Sequence, residues 1–531
     1  MGSDKKIGCD IRKRHTTQFR FVLAILLVFF GFGCNSINPK LQDEYIRPGL
    51  SQGMCSVFDK YRQSIPKAMA EEKVPGLSLA LVDRDGILWA AGFGYTDYDQ
   101  KTPVTTDTMF ALCSISKIIT AMTVMVAVQD GLLELDVPII EYLPQFTVNS
   151  RFEKNPHKKI TVRHLLSHTS GIAHEAPVGN AREPSYGTLE EHVLSVSDTW
   201  LRHKVGERFS YSGFGYDLIA YILQVQSGQP FAEYVKDKVF TPLNMTNCSA
   251  DPEFIRSHPN RAVGHMPYVK RMPQVGDVPY AGAGIVFASA RGLATFVQFF
   301  LNGGKVGGQA ILEKSLIKSM ITPSKFSTPS NYKYGLGVMV YDQKYYALGH
   351  RGGGGGFQSA MFWYPEYEFG ILLMFNSEQF KHPVIVAIDL IEKNLVQKNE
   401  SFKVPSVGYE AYRTLDPDTF TRFKPEWKKY IGTYKYVMSG WKFSIFARIA
   451  LILGLTTKYT HVKVFERDGY LYVGSQVYHD DDGGRLDEYL PGLFFTPSGK
   501  CLDLRGPKLT WQNWRIKKVD NHNDRNFDIN F

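Results

Sequence analysis

The chain of 531 residues reads as an α+β fold followed by a small antiparallel β domain. Three observations predict this. Two strand-like runs near the start, "LSLALVD" and "ILWAAGFG", join through Asp85-Gly86, which signals a β-hairpin. Strand character returns only near residue 335, in "YGLGVMVY", "YYALGH", "FQSAMFWY" and "FGILLMFN", after a stretch from about 110 to 300 that reads as helices between Gly- and Pro-bearing loops. Beyond about residue 426, "YIGTYKYV", "HVKVFERDGYLYVGS", "EYLPGLFFTPSG" and "LTWQNWRIKKV" alternate like antiparallel strands. An early hairpin and a late meander around a helical middle imply one antiparallel sheet built from distant parts of the chain and flanked by helices. The site is then expected where sheet and helical region meet.

The first twenty residues carry Lys5, Lys6, Arg12, Lys13, Arg14 and Arg20 against Asp4 and Asp10, and "FRFVLAILLVFFGFGC" follows. An apolar run of about a dozen residues after positive charge has the length of a signal-peptide core and is short for a spanning helix. Cys34 closes the run before polar "NSINPK", a loose match to the lipid-attachment box of bacterial lipoproteins, with Gly31 where a leucine-like residue is usual. Residues 1–34 are expected to be a signal peptide, with or without lipid on Cys34, or an uncleaved membrane anchor; each exports the protein. "SVFDKYRQSIPKAMAEEKV" has helical spacing and stops before Pro75-Gly76, where the hairpin begins. The α+β domain is expected over 50–397, a polar, Pro-bearing linker over 398–425 and the β domain over 426–520. Within the last, "FSIFARIALILGL" is apolar but for Ser444 and Arg448; it suits a buried or surface-lying helix better than a span.

A hydrophobic fraction of 44% excludes general disorder, and a net charge of +9 without a dense Lys/Arg run excludes nucleic-acid binding. The six cysteines form no C-x-x-C pair, so neither a zinc site nor a disulfide framework is expected. Cys113 is expected to be a small buried residue rather than a nucleophile. His164 and His168 stand four apart, but "HLLSHTSG" lacks the adjacent Glu of zinc hydrolases, and the Gly352–Gly356 run lacks the Lys-Ser/Thr of a phosphate loop. No metal and no cofactor are expected.

"ALCSISKIIT" carries the chemistry. A helix running from Ser114 to a cap at Gly131 has apolar residues around nearly its whole circumference, so Lys117 starts in a poor place for an ammonium. It snorkels from the first turn, pairs with a carboxylate, or uses burial to lower its pKa and take a proton from a hydroxyl. Ser114 lies three residues earlier on the same face; Ser116 points elsewhere. The helix start also stabilises negative charge developing during acyl transfer.

Five blocks in order, "TMFALCSISKIITAMTV", "DGLLELDVPIIEYLP", "ITVRHLLSHTSGI", "GERFSYSGFGYDLIAYIL" and "GHRGGGGGFQS", resemble the serine β-lactamase-related superfamily, in the branch of class C β-lactamases, D-aminopeptidases, DD-peptidases and esterases. The resemblance covers roughly residues 55 to 390 and implies a β-lactamase/transpeptidase-like fold. It makes Ser114 the acylated nucleophile, Lys117 its partner base and Tyr211 the tyrosine of the Y-x-N motif. His350, Arg351 and Gly352 fall where relatives carry K-T-G, and Gly353 N–H would complete an oxyanion hole with Ser114 N–H. Two positions depart from the antibiotic-hydrolysing pattern. Gly213 replaces the asparagine of Y-x-N, and His350 replaces the lysine of K-T-G; Arg351 would compensate if it pointed inward. The resemblance therefore implies a serine hydrolase acting on D-residue peptides, muropeptides or small esters, with weak or no β-lactam turnover. The alternative is a non-catalytic binding or regulatory module on the same fold. The C-terminal domain resembles the lipocalin-like appendage of some relatives and is expected to cap or border the site.

Overall fold

The computed structural model describes residues 39–378 and 422–519, apart from 100, 181–186, 267–268, 272–280, 327, 329–331, 343–345, 439–441, 444–460, 468–469, 475–484, 497–499 and 506–507. The N-terminal segment with Cys34, the linker up to residue 421 and nearly all of "FSIFARIALILGL" lie outside the described residues. Among the described residues no helix is long and apolar enough to cross a membrane.

The expected sheet is present, with eight antiparallel strands. They are β1 (Leu41–Ile46), β2 (Gly76–Asp83), β3 (Gly86–Gly94), β4 (Lys333–Tyr334), β5 (Met339–Tyr341), β6 (Ala347–Gly354), β7 (Phe357–Tyr364) and β8 (Phe369–Phe375), in the order β1-β3-β2-β8-β7-β6-β5-β4. The hairpin and the distant meander are sewn together where β8 runs antiparallel to β2, with Leu372 opposite Ala80. Gly86 turns the hairpin at φ 129°, a conformation that a side chain resists. β1 lies outside the expected domain start at residue 50: its pairing with β3 places the edge of the sheet at Leu41–Ile46.

Both faces of the sheet are covered. Helix α1 (Gln52–Glu72) buries Phe58, Tyr61, Ile65 and Met69 on one face, against Leu77, Leu79, Leu81 and Trp89. The alternate residues Ala80, Val82 and Ala90 turn to the other face, where helix α4 (Ala290–Leu301) and the helical region pack. Helix α2 (Ser116–Gln129) runs through that region and is buried from Ser116 to Ala127; Gly131, with φ 72°, follows its end as expected. Beside it stands α3 (Phe214–Ser227), which closes on Gly228 in the left-handed conformation.

The C-terminal part is a second eight-stranded antiparallel sheet. Sequential strands pair, and Gly432–Tyr436 also pairs with the last strand, Trp514–Lys518. That is the connectivity of an up-and-down barrel, with a Tyr472–Arg485 bridge across the remaining gap. Its interior is filled by Trp427, Tyr434, Val462, Leu471, Phe494 and Ile516.

Candidate active site

The nucleophile turn is pinned before it begins. Phe110–Ala111 pairs with Phe287–Ala288, and Leu112 N–H donates to Val286 O at 2.9 Å. Cys113 then takes φ 48°, in the left-handed region, and a 3-10 turn through Ile115 leads into α2. This sharp entry presents Ser114 at the head of the helix. Cys113 itself is buried, with a thiol that burial pushes up to about 12, so it is no nucleophile. Ser116 faces away from Ser114, and its hydroxyl accepts from Val286 N–H at 3.1 Å.

Lys117 is 2% exposed, and its Nζ lies 3.3 Å from Ser114 Oγ. The amine also donates to Ala283 O at 2.8 Å and sits over the rings of Tyr211 at 5.1 Å and Tyr216 at 5.6 Å. Burial lowers Lys117 to about 8, against the opposing pull of the Asp217 carboxylate, the Cys113 thiol and Glu175. A substantial neutral fraction near pH 8 suits a base. Tyr211 is raised by burial and is hydrogen-bonded to Ser114, so Ser114, Lys117 and Tyr211 come together as one trio.

Strand β6 forms the opposite wall. Gly352 is required there: a Cβ on it would stand 2.2 Å from Leu112 O and 2.3 Å from Ser359 Oγ. Gly353 lines the same cavity, about 180 Å³ in volume, as Ser114, Lys117 and Gly213. His350 is 1% exposed and tied back. Its Nδ1 donates to Arg351 O at 2.5 Å, so its Nε2 is an acceptor for the Tyr334 hydroxyl at 3.0 Å. Burial and the nearby Lys117 ammonium lower His350 to about 3, which keeps it neutral.

Arg351 corrects an expectation. Strand alternation turns it to the other face of the sheet, where its guanidinium lies over Tyr341 at 5.7 Å and Phe362 at 5.8 Å; it does not compensate for His350. Of the histidines four apart, His164 closes a capping box with Thr161, and His168 Nδ1 accepts from Ser212 N–H at 3.1 Å.

Other residues of the site carried no motif. His174, Glu175, His192, Asp217 and Ala283 line the cavity with Ser114 and Lys117. The one sequence signal among them is Asp217, a lone carboxylate in the apolar run "FGYDLIAYIL". The C-terminal sheet borders this wall, since Asn513, in its last turn, donates to Glu175 O at 2.9 Å. Trp200 packs nearby against Tyr489 and Phe495 of the same sheet, at 5.6 and 6.0 Å.

A serine and a tyrosine, both partly exposed, meet a buried lysine at a helix start beside an antiparallel strand, an arrangement compatible with acyl transfer. The Beta-lactamase family model matches residues 61–394, more than half of the chain, and the chain belongs to that family, within the serine β-lactamase-related superfamily of serine hydrolases. It is 25% identical over 321 residues to "Protein flp" of Staphylococcus aureus (strain COL), covering 59% of this chain and 62% of that protein's length. It is 24% identical over 354 residues to "Penicillin-binding protein 4*" of Bacillus subtilis (strain 168), covering 60% and 72%. Among solved structures, the octameric penicillin-binding protein homologue from Pyrococcus abyssi matches with a TM-score of 0.55 and 23% identity, over 86% of this chain and 95% of that one. D-amino acid amidase from Ochrobactrum anthropi SV3 matches with 0.53 and 22%, over 64% and 99%.

Proposed function

We propose that this protein is an exported serine hydrolase that forms an acyl-enzyme on Ser114 and cleaves amide or ester bonds in D-residue peptides, muropeptides or small esters. The observation that carries the reading is the Lys117 amine, buried and held 3.3 Å from Ser114 Oγ. Neutral Lys117 takes the Ser114 proton as Oγ attacks the substrate carbonyl; Tyr211, hydrogen-bonded to Ser114, gives its phenol proton to the leaving group and is reprotonated from the Lys117 ammonium, so both groups return to their starting states. The N–H groups of Ser114 and Gly353, on facing walls of the cavity, receive the oxyanion. Water then enters along the same path and releases the acyl group. Structural neighbours include a D-amino acid amidase and a hydrolase with promiscuous acyltransferase activity, in line with amide and ester substrates. Neutral, tied-back His350 and outward-facing Arg351 leave the K-T-G position without a cation, which disfavours carboxylate-bearing β-lactams.

Incubation with a fluorophosphonate and with a fluorescent penicillin, followed by peptide mass spectrometry, tests this. The expected adduct lies on Ser114 and vanishes in Ser114→Ala, with the fluorophosphonate the faster label. No label on the wild type, or equal label on Ser114→Ala, overturns the hydrolase reading in favour of a binding module. Export through residues 1–34 is tested by cell fractionation and by metabolic labelling with a fatty acid, which separates lipidation at Cys34 from a cleaved signal or an anchor.

A further inference from the structure

The buried pair His192–Asp217 lies beneath the trio and belongs to no motif. Asp217 stands on the first turn of α3, and both partners are 1% exposed. Its Oδ1 accepts two backbone N–H groups, from Ala281 at 2.9 Å and Ala283 at 3.0 Å. Its Oδ2 faces His192 Nε2 at 3.4 Å, while His192 Nδ1 lies 2.7 Å from Val178 O. A carboxylate oxygen and a carbonyl oxygen are acceptors, so both ring nitrogens face acceptors; against burial, which lowers His192, the Asp217 carboxylate raises it and favours its imidazolium. The pair is thus a buried carboxylate with its own counter-ion, and breaking it leaves an uncompensated charge.

The two amides held by Asp217 belong to a short strap, Ala281–Gly284, wedged between α2 and α3. Thr120 Oγ1 on α2 donates to Gly282 O at 2.8 Å, and Gly282 lies so close to Tyr216 O that a Cβ would stand 2.1 Å from it. Residue 283 joins the two sides directly: its N–H goes to Asp217, and its C=O receives Lys117 Nζ at 2.8 Å. Asp217 therefore orients the peptide that holds the amine.

We infer that Asp217, charge-balanced by His192, is a positioning residue of the acylation centre: it fixes the Ala281–Gly284 strap so that Ala283 O holds the Lys117 amine at Ser114. Asp217 also acts through its charge. Burial is the larger influence on Lys117 and lowers it; the Asp217 carboxylate opposes this, as do the Cys113 thiol and Glu175. The other groups facing Lys117 are the phenols of Tyr211 and Tyr216 and the imidazoles of His168, His174 and His350, each of which burial and the Lys117 ammonium hold below the ordinary histidine range.

This inference rests on Lys117 being the base, and the experiment separates the two. Asp217→Asn keeps an acceptor for both strap amides and offers an N–H to a neutral His192, so it removes charge with little loss of packing; Asp217→Ala removes the acceptor as well. Lys117 is titrated directly by NMR in protein carrying 13C at lysine Cε, assigned with Lys117→Ala, a readout that needs no substrate. Asp217→Asn removes the carboxylate together with the His192 charge, but the carboxylate is the member of the pair that acts on Lys117 and favours its ammonium, so Lys117 should titrate at lower pH in Asp217→Asn than in the wild type. Labelling of Ser114 by fluorophosphonate at about pH 6.5, relative to each protein's own alkaline plateau, should rise by about threefold or more. In Asp217→Ala labelling should fall at every pH, by about tenfold or more, because the strap is released. Identical Lys117 titrations in wild type and Asp217→Asn overturn the inference, whether or not Asp217→Ala folds. A wild type that labels nowhere counts against the hydrolase reading, while the NMR comparison still decides the role of Asp217.

Discussion

Gly352 offers a sharp test of how the two walls of the site are held together. A methyl on it would lie 2.2 Å from Leu112 O, 2.3 Å from Ser359 Oγ and 3.1 Å from Cys113 Cβ. Non-bonded carbon contacts settle at about 3.5 Å, so in Gly352→Ala strand β6 and the turn before Ser114 must part by about 1 Å. The Leu112 oxygen is backbone and cannot swing aside, and the Ser359 hydroxyl already donates to it at 2.7 Å. Overpacking of this kind costs about 1–3 kcal/mol, and the strained hydrogen bond about 1 kcal/mol more. A displacement of about 1 Å between reacting groups costs on the order of a hundredfold in rate. Gly352→Ala should therefore be less stable by about 2–4 kcal/mol in denaturant titration. It should also label Ser114 with fluorophosphonate on the order of a hundredfold more slowly than wild type. Gly353→Ala is the control, since a Cβ there meets nothing within 4 Å, and its stability should stay within about 1 kcal/mol of wild type. Wild-type labelling by Gly352→Ala would refute the close approach of β6 to the nucleophile turn.

Lys117→Met should abolish Ser114 labelling yet stabilise the fold at neutral pH. The folded lysine is lowered from 10.5 to about 8, so the deficit it imposes is full below about 8 and fades as pH rises toward 10.5. The variant should gain about 1–3 kcal/mol at about pH 6.5 and progressively less at about pH 10; a loss at pH 6.5 contradicts the burial argument. Arg351→Ala should keep hydrolysis of a small ester within about twofold, because that guanidinium packs on Tyr341 and Phe362; a tenfold fall would place the side chain in the site. Asn513→Ala removes the bond from the C-terminal sheet to Glu175 O, worth about 1 kcal/mol. KM for a peptide substrate should shift several-fold and that for a small ester should not, and unchanged peptide kinetics would deny the sheet a part in substrate choice.

Sequence patterning reached the fold because it rests on local signals. Alternation in β2 and β3, the Asp85-Gly86 turn and the meander after residue 335 each state their geometry in a few residues. The edge strand β1 escaped notice, since "LQDEYI" alternates weakly and gains its strand character from pairing with β3. The trio was legible for the same reason as the fold: Ser114 and Lys117 are one helical turn apart, and Tyr211 stands in a recognisable block. The direction of Arg351 stayed open in the sequence because residue type says nothing about which face a strand position takes. Asp217, His192, His174 and Ala283 meet across separations that no periodicity encodes, and the Tyr334 hydroxyl that caps His350 belongs to another strand of the sheet.

The departure at Gly213 takes on a physical sense once His174 is placed. His174 Nδ1 accepts from Gly213 N–H at 3.2 Å, and its backbone oxygen accepts from Phe214 N–H at 3.0 Å. With Nδ1 an acceptor, the ring carries its proton on Nε2, which points toward Glu175 Oε1 at 3.6 Å. A Cβ at 213 would stand 3.4 Å from His174 O, 3.6 Å from His174 Cε1 and 3.8 Å from Ala283 Cβ, ordinary van der Waals contacts, so His174 and the strap are the immediate neighbours of this position. The Lys117 amine keeps Ala283 O as its acceptor throughout, and that carbonyl is fixed from behind by Asp217. On the proposed reading, Gly213 changes a wall of the cavity and leaves Ser114, Lys117 and Tyr211 together.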